Sequence, residues 1–593
     1  MKKFFLFYFL LLLSLILSLP KSILADEQTV PSGLNYQQIG PKVEDYVNRN
    51  KDTTAGMETA IFDTKGTIYQ GNFGYINKEK KIKADDSTIF EWGSVTKLTI
   101  WISVMQQWEQ GKIDLDKDIR EYLPDNFFKN LRYDKPITMK DLMNHQAGFE
   151  DSTHVYLPNE GQDFEQILST NQPKQIFEPR TTTSYSNYGA GLAAYIVERV
   201  TGQKFSDYVH EHIFQPLDMN KTAILPNFTD NEYVQKKREE TNSYDAKGNS
   251  IGTARLYLGI YPIGQAASTI GDFQKFAEAL LKKETLFQRK ETWDTLYSPT
   301  STYPDTDTPR NMHGFFALEY GTTLVGHGGN SLGFSSYIHL DLKNGIGMVV
   351  MTNQFSEKTY NYNLPELVFG NKRKTDQEVY QQFKPGFYRT SRYFGTGPLS
   401  ILRTFPTVNY INRSSSKSIL GNAYTTISHQ DGQEKLSQSY ATILKVSDAE
   451  VYKDYAMYIL LILGVVYAFG NTIVTIISAL FQRITKRKKA SIPRDLKIWN
   501  LVTLLSILTF CGLLIHFYIM AITGNIGMMA SWRMVGYAII GVVLTGCVLY
   551  PFISKAKSRL STRQFVLTTL TSLSALFILS NILYWSLYQW WAL

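Results

Sequence analysis

Cysteine is nearly missing from this chain of 593 residues: there are two, Cys511 and Cys547, and both lie in long apolar runs near the C-terminus. The first 450 residues have none, which excludes a disulfide framework, a thiolate zinc site and a cysteine nucleophile from that part. Proline (20) and glycine (40) are too sparse for a collagen-like chain, and 44 % hydrophobic residues exclude a disordered one. Most of the chain also lacks an excess of positive charge. The formal charge is +8, yet residues 451–593 hold 13 Lys and Arg against 2 Asp and Glu, while the first 450 hold 48 against 51. The long N-terminal part therefore has no electrostatic footprint for nucleic acid. HExxH, Walker and Rossmann patterns are absent. Asp114, Asp116 and Asp118 lack the central glycine and terminal glutamate of a calcium loop and read as a surface loop, so neither a metal nor a cofactor is called for.

What is present divides the chain into four. Met1-Lys2-Lys3, the apolar run Phe4–Leu19 and Ala25 describe a secretory signal peptide over 1–25, with an uncleaved anchor as the alternative. Residues 26–370 have the composition of a soluble globular domain. Residues 371–450, with Lys372-Arg373-Lys374, Gly395-Thr-Gly-Pro398 and Ser414-Ser-Ser-Lys417, read as a small β-containing extension and connector that suggests no chemistry. Over 451–593, four apolar segments near 455–480, 498–522, 534–553 and 565–587 each reach the roughly 20 residues that span a hydrocarbon core. Arg483–Lys489 with Arg494 and Lys497, and Lys555, Lys557, Arg559 and Arg563, make the first and third connecting loops basic, so the positive-inside rule places both in the cytoplasm. The first helix then runs inward and residues 26–450 face outside, as the signal peptide independently requires. Trp585, Trp590 and Trp591 fit an interfacial anchor. His516, an ionisable residue within the second span, is a functional candidate by position, although it fits a structural place in the bundle better.

Chemistry concentrates in three motifs. Leu98, Trp101, Ile102, Met105 and Trp108 recur on one face and Gly111 supplies a stop, which predicts a helix over 94–110. Ser94 sits at its start and Lys97 one turn on, close enough for the amine to touch the hydroxyl in the field of a helix N-terminus. Tyr185-Ser186-Asn187 lies in the loop entering a helix that ends at Gly202, and a tyrosine near two cations can serve as a general base. His327-Gly328-Gly329-Asn330 precedes two β-rich runs, 334–340 and 345–353, joined through the hairpin-favouring Asn344-Gly345. Glycines at a strand entry let a substrate backbone lie against it, and the strand edge offers an N–H to an oxyanion.

Ser94-x-x-Lys97, Tyr185-x-Asn187 and His327-Gly-Gly, in that order, resemble the serine β-lactamase and penicillin-binding superfamily, specifically its class C-like branch. Flanking stretches at 137–148 and 211–219 resemble it too, and the similarity runs over about 30–370. The resemblance implies a two-subdomain ectodomain, α/β plus all-α, with an antiparallel sheet flanked by helices, followed by the four transmembrane helices. It implies that Ser94 is the acylated nucleophile, Lys97 assists its deprotonation, Tyr185 is the base and water activator, and Asn187 binds the substrate amide. His327 would replace the cation that many members carry in the third motif, a change that argues against an efficient β-lactamase. Gly328, Gly329 and Asn330 would line the substrate, with the Ser94 and Asn330 N–H groups as the oxyanion hole. The Asn330 side chain is as well placed to turn away as to enter the pocket. Glu91 either contacts a substrate amine, as in similar exported peptidases, or pairs locally. His145 reads as structural.

The reading that follows is an outward-facing, membrane-anchored serine hydrolase for small D-amino-acid-containing peptides, amides or esters, with the lipid bilayer as its other partner. Prodrug-activating peptidases share the architecture but typically have three C-terminal helices. A sensor acylated by β-lactam is the alternative, although cytoplasmic loops of about 15 and about 10 residues leave no room for an effector domain.

Overall fold

The computed structural model describes residues 28–589 except 130, 152–162, 171, 256, 413–414, 416–423, 431–432, 486–491 and 524–532. The leader expected at 1–25, Trp590, Trp591 and the lysine-rich part of the first basic loop lie outside the described residues.

After helix α1 (Tyr36–Asn50), strands β1 (Gly56–Asp63), β2 (Gly66–Asn77) and β3 (Ile82–Lys83) form an antiparallel meander. Later come β4 (Ser301–Thr302), β5 (Pro309–Met312), β6 (Phe315–Glu319), β7 (Thr323–Ser331), β8 (Phe334–Asp341) and β9 (Ile346–Thr352). Together they make one nine-stranded sheet in the order β3-β2-β1-β9-β8-β7-β6-β5-β4. Its centre is set by β1 pairing with β9, with Ala60 opposite Val349. The two-residue period assigns the faces. Met57, Ile61, Met348 and Val350 pack with Ile39, Val43 and Val47 of α1, while Ala60, Phe62, Val349 and Met351 point into the main core. The hairpin expected at Asn344-Gly345 joins β8 to β9.

That main core belongs to the helices. The helix expected over 94–110 is a 3₁₀ turn (Gly93–Thr96) leading into α2 (Lys97–Glu109), so Ser94 lies in the tighter turn. Eleven consecutive residues of α2, Lys97 to Gln107, are buried, which makes it a central helix rather than an amphipathic surface one. Helix α3 (Asn187–Thr201) packs against it and ends at Gly202 with φ +72°. Helix α4 (Ile270–Lys282) covers β1 and β9.

Residues 371–450, expected as a small β-containing extension and connector, hold a second antiparallel sheet. Strands β10 (Gly386–Thr390), β11 (Asn409–Ile411), β12 (Thr426–Gln430), β13 (Gln433–Ser437) and β14 (Thr442–Val446) run in the order β11-β10-β14-β13-β12. This accessory sheet docks on the segment leading to Tyr185: Thr442 N donates to Thr183 O (2.9 Å), Ser391 Oγ to Thr183 O (2.6 Å) and Ser184 Oγ to Ser391 O (3.2 Å).

Four helices among the described residues are long and apolar enough to cross a membrane: α5 (Asp448–Thr485), α6 (Arg494–Thr523), α7 (Arg533–Ile553) and α8 (Thr562–Tyr584). The first begins about two turns earlier than hydropathy suggests. Those turns are polar because buried Asp454 accepts from Arg403 (2.6 and 3.0 Å), Tyr584 (2.6 Å) and Thr404, tying α5 and α8 to the accessory segment. His516 lies partly buried on α6.

One core residue carries a pH dependence. His339 on β8 is enclosed, its ring 4.3 Å from that of Tyr337, and burial pushes its pKa down to about 3. The folded state therefore keeps a neutral imidazole where the unfolded chain, titrating near 6.5, binds a proton, and stability falls as pH drops from about 6.5 towards 3. Full-length His339→Phe in detergent is expected to lose less stability than the wild type between pH 7 and pH 5 in denaturant unfolding; an identical loss would contradict this.

Candidate active site

The site forms where the main sheet meets the helical core. Pairing of β7 with β6 covers only Thr323–Gly326, whereas pairing with β8 continues to Ser331, so over His327–Ser331 one edge of β7 is left to the Gly93–Thr96 turn. The approach is so close that a Cβ added at Gly329 would lie 1.9 Å from the Trp92 carbonyl oxygen and 2.9 Å from the Ser94 nitrogen. Gly93, at φ +53°, faces the backbone of Asn330 in the same way. Gly329 of the third motif thus admits the chain's own nucleophile turn, while Gly328 makes room for the Tyr337 ring. Behind that turn Trp92 is locked by Ser268 (Nε1 to Oγ, 2.8 Å) and by the rings of Phe273 and Phe276 at 4.9 and 5.3 Å.

Lys97 Nζ lies 3.1 Å from Ser94 Oγ and 2.5 Å from the carbonyl oxygen of Ile263, and 5.1 Å from the centre of the Tyr185 ring. The lysine is fully buried. Burial first, and the nearby Arg392 second, hold the amine well below the usual lysine range. A neutral amine at this distance can take the serine proton. Ser94 itself remains partly exposed.

Tyr185 is presented by local capping. Ser186 is the N-cap of α3, its Oγ accepting from Gly189 N (3.0 Å), and Asn187 is the first helical residue, buried beside it. His145 brackets the tyrosine: its carbonyl accepts from Ser184 N (2.8 Å), its Nδ1 accepts from Ser186 N (3.2 Å), and its ring stands 4.3 Å from that of Tyr185. The structural reading of His145 is thereby given a specific content, positioning the tyrosine.

His327 departs from the cationic part implied by the family pattern. Its Nδ1–H donates to Gly328 O (2.6 Å), it is 2 % exposed, and burial followed by Lys97 pushes its pKa down to about 3. It is a neutral imidazole at physiological pH.

Two further residues turn away from the cleft. Both oxygens of buried Glu91 are engaged, Oε1 by Arg238 Nε (2.8 Å) and Oε2 by Ser331 Oγ. Arg238 is itself fully enclosed and also donates to Thr241 O, Ser243 Oγ and Ala254 O. Glu91 thus pins the end of β7 through partners far along the chain. The Asn330 side chain accepts from Ser335 Oγ (2.7 Å) and Ser356 N (2.9 Å), leaving its backbone as the part that faces Gly93. In the acidic run, Asp116 pairs with Lys140 and Asp118 with Arg120.

Arg392, just after β10, lies 5.3 Å from the centre of the Tyr185 ring, with its Nε on Asp151 Oδ2 at 2.7 Å. It stands more than 200 residues from Tyr185 in a segment without periodicity, and no motif marks it.

Comparison with known proteins places this site in context. The profile of the family described as Beta-lactamase matches residues 43–369. Teichoic acid D-alanine hydrolase of Staphylococcus aureus is 27 % identical over 298 residues, covering 49 % of this chain and 70 % of that protein. Protein flp of S. aureus strain MW2 is 22 % identical over 363 residues, covering 59 % and 70 %. Among solved structures, FmtA from S. aureus aligns at 20 % identity and TM-score 0.45, covering 59 % of this chain and 93 % of that one.

Two substitutions test the geometry. Gly329→Ala is expected to push β7 off the Ser94 turn and lower kcat by about 100-fold with the fold retained by circular dichroism; near-wild-type turnover would contradict the close approach. Glu91→Ala strands the Arg238 charge and is expected to cost about 3 kcal/mol of stability, while KM for a substrate with a free amine and for its N-acetylated form changes alike. A KM rise confined to the amine substrate, at unchanged stability, would restore substrate contact.

Proposed function

Because the chain belongs to the beta-lactamase family, we propose that it is a membrane-anchored serine hydrolase, acting outside the membrane through an acyl-enzyme on Ser94 and taking D-amino-acid-containing peptides, amides or esters. The observation that carries this reading is the enclosed Lys97 amine 3.1 Å from Ser94 Oγ and beside the Tyr185 ring. Ser94 Oγ attacks the acyl carbonyl as its proton passes to Lys97. The carbonyl oxygen is received by the Ser94 and Asn330 N–H groups, and Tyr185 relays a proton to the leaving group. Water activated by Tyr185 then releases the acid. Asn187 holds the substrate amide.

The D-alanyl ester class is supported by the relative whose name gives D-alanine on teichoic acid as its target. The outward orientation is supported by charge and by two ion clusters at opposite ends of the bundle. Arg559 meets Asp495 through both oxygens (2.7 Å each), joining the two basic loops at one end, whereas Asp454, Arg403 and Tyr584 join the other end to the catalytic part.

Full-length protein in detergent is expected to hydrolyse a D-alanyl ester faster than its L-alanyl counterpart, and Ser94→Ala to reduce that rate roughly 10⁴-fold. Unchanged hydrolysis in Ser94→Ala would overturn the site; a stoichiometric burst without turnover would favour an acylated sensor.

A further inference from the structure

The accessory sheet lies beyond the stretch matched by the family profile, yet it meets the site at its base. Among the described residues, ionisable or charged groups face the Tyr185 ring from different elements: Lys97 of α2 at 5.1 Å, His145 of the preceding loop at 4.3 Å, His327 of β7 at 6.2 Å and Arg392 at 5.3 Å. Burial depresses Lys97, His145 and His327 alike, so each of these three can lose its charge. Arginine keeps its charge under all such conditions. Among the described residues, Arg392 is thus the permanent cation against this ring.

We propose that Arg392 is a positioning residue of the active site, contributed by the accessory sheet, whose guanidinium supplies a fixed positive charge to Tyr185 and Lys97. The placement is built. Asp151 holds the Nε edge, Ser391 is bonded through its Oγ to Thr183 O and through its N–H to Thr442 O, and Glu150 accepts from Gly395 N (2.8 Å) and Thr396 Oγ1. These bonds fix both ends of the short segment that carries the arginine. A positive charge over the ring favours the phenolate, and the same charge favours the neutral amine of Lys97, so both effects support the proton-accepting forms. The inference rests on the acyl-enzyme reading above and deepens it.

The test is the pH profile of kcat/KM for the full chain in detergent, with an uncharged chromogenic ester that does not titrate. Arg392→Gln is expected to move the acidic limb up by about one pH unit, with activity returning at alkaline pH, and Arg392→Lys to hold the limb near its wild-type position. Asp151→Asn removes the counter-charge and is expected to move the limb the opposite way, which a loss of packing would not do. An unmoved limb in Arg392→Gln, or Arg392→Lys behaving as Arg392→Gln does, would overturn the inference. If Arg392→Gln does not fold, Asp151→Asn decides, since an unmoved or upward-shifted limb there overturns it too. Ser94→Ala assayed in parallel separates the two readings: turnover that survives it overturns the acyl-enzyme mechanism, whereas a Ser94-dependent reaction with unmoved limbs overturns only the part given to Arg392.

Discussion

The Lys97 amine is enclosed by groups from distant parts of the chain, and the chemistry of the site depends on that enclosure. Helix α2 is buried around its whole circumference at this level, the Ile263 carbonyl takes one of the amine's hydrogen bonds, and β7 closes against the turn in front. An ammonium is costly to keep in such surroundings, so burial holds the amine well below the usual lysine range, which favours its proton-accepting form beside the hydroxyl. The same burial neutralises His327 and His145. A site rich in basic side chains is consequently poor in positive charge, which gives weight to the one guanidinium brought in by the accessory sheet.

That arginine also belongs to a continuous path towards the bundle. From Arg392 on Tyr185 the chain passes Glu150 at Gly395 and Thr396, buries Leu399 and Ile401 in one cluster with Ala575 of α8 and with Trp585 just beyond its end, and reaches Asp454 through Arg403 and Thr404. Leu399 lies seven positions beyond Arg392, a reach of at most about 25 Å. Tyr185 and the groups around it are therefore held near one end of the apolar helices by packed and hydrogen-bonded structure.

Much of this was legible in sequence because it depends on local patterns. The spacing of Ser94 and Lys97, the loop carrying Tyr185 before a helix, the strand pair around Asn344-Gly345 and the four apolar spans are short-range features, and each was found near its expected place. The electrostatics were not legible. Whether Lys97 and His327 carry charge depends on burial by residues far along the chain. Glu91 could not be paired in advance because Arg238 lies 147 positions away. Arg392 was missed for the same reason, and so was the accessory sheet's place against Thr183 and Ser184, since short strands in a polar segment give little periodicity.

The most direct measurement is the pH dependence of Ser94 acylation by a serine-directed phosphonate, followed by stopped flow on the full chain with the labelled residue identified by mass. If the enclosed amine is the base, the rate should reach its plateau well below pH 10, with the label on Ser94. A rate that keeps rising to the ordinary lysine range near 10.4, or a label elsewhere, would contradict it.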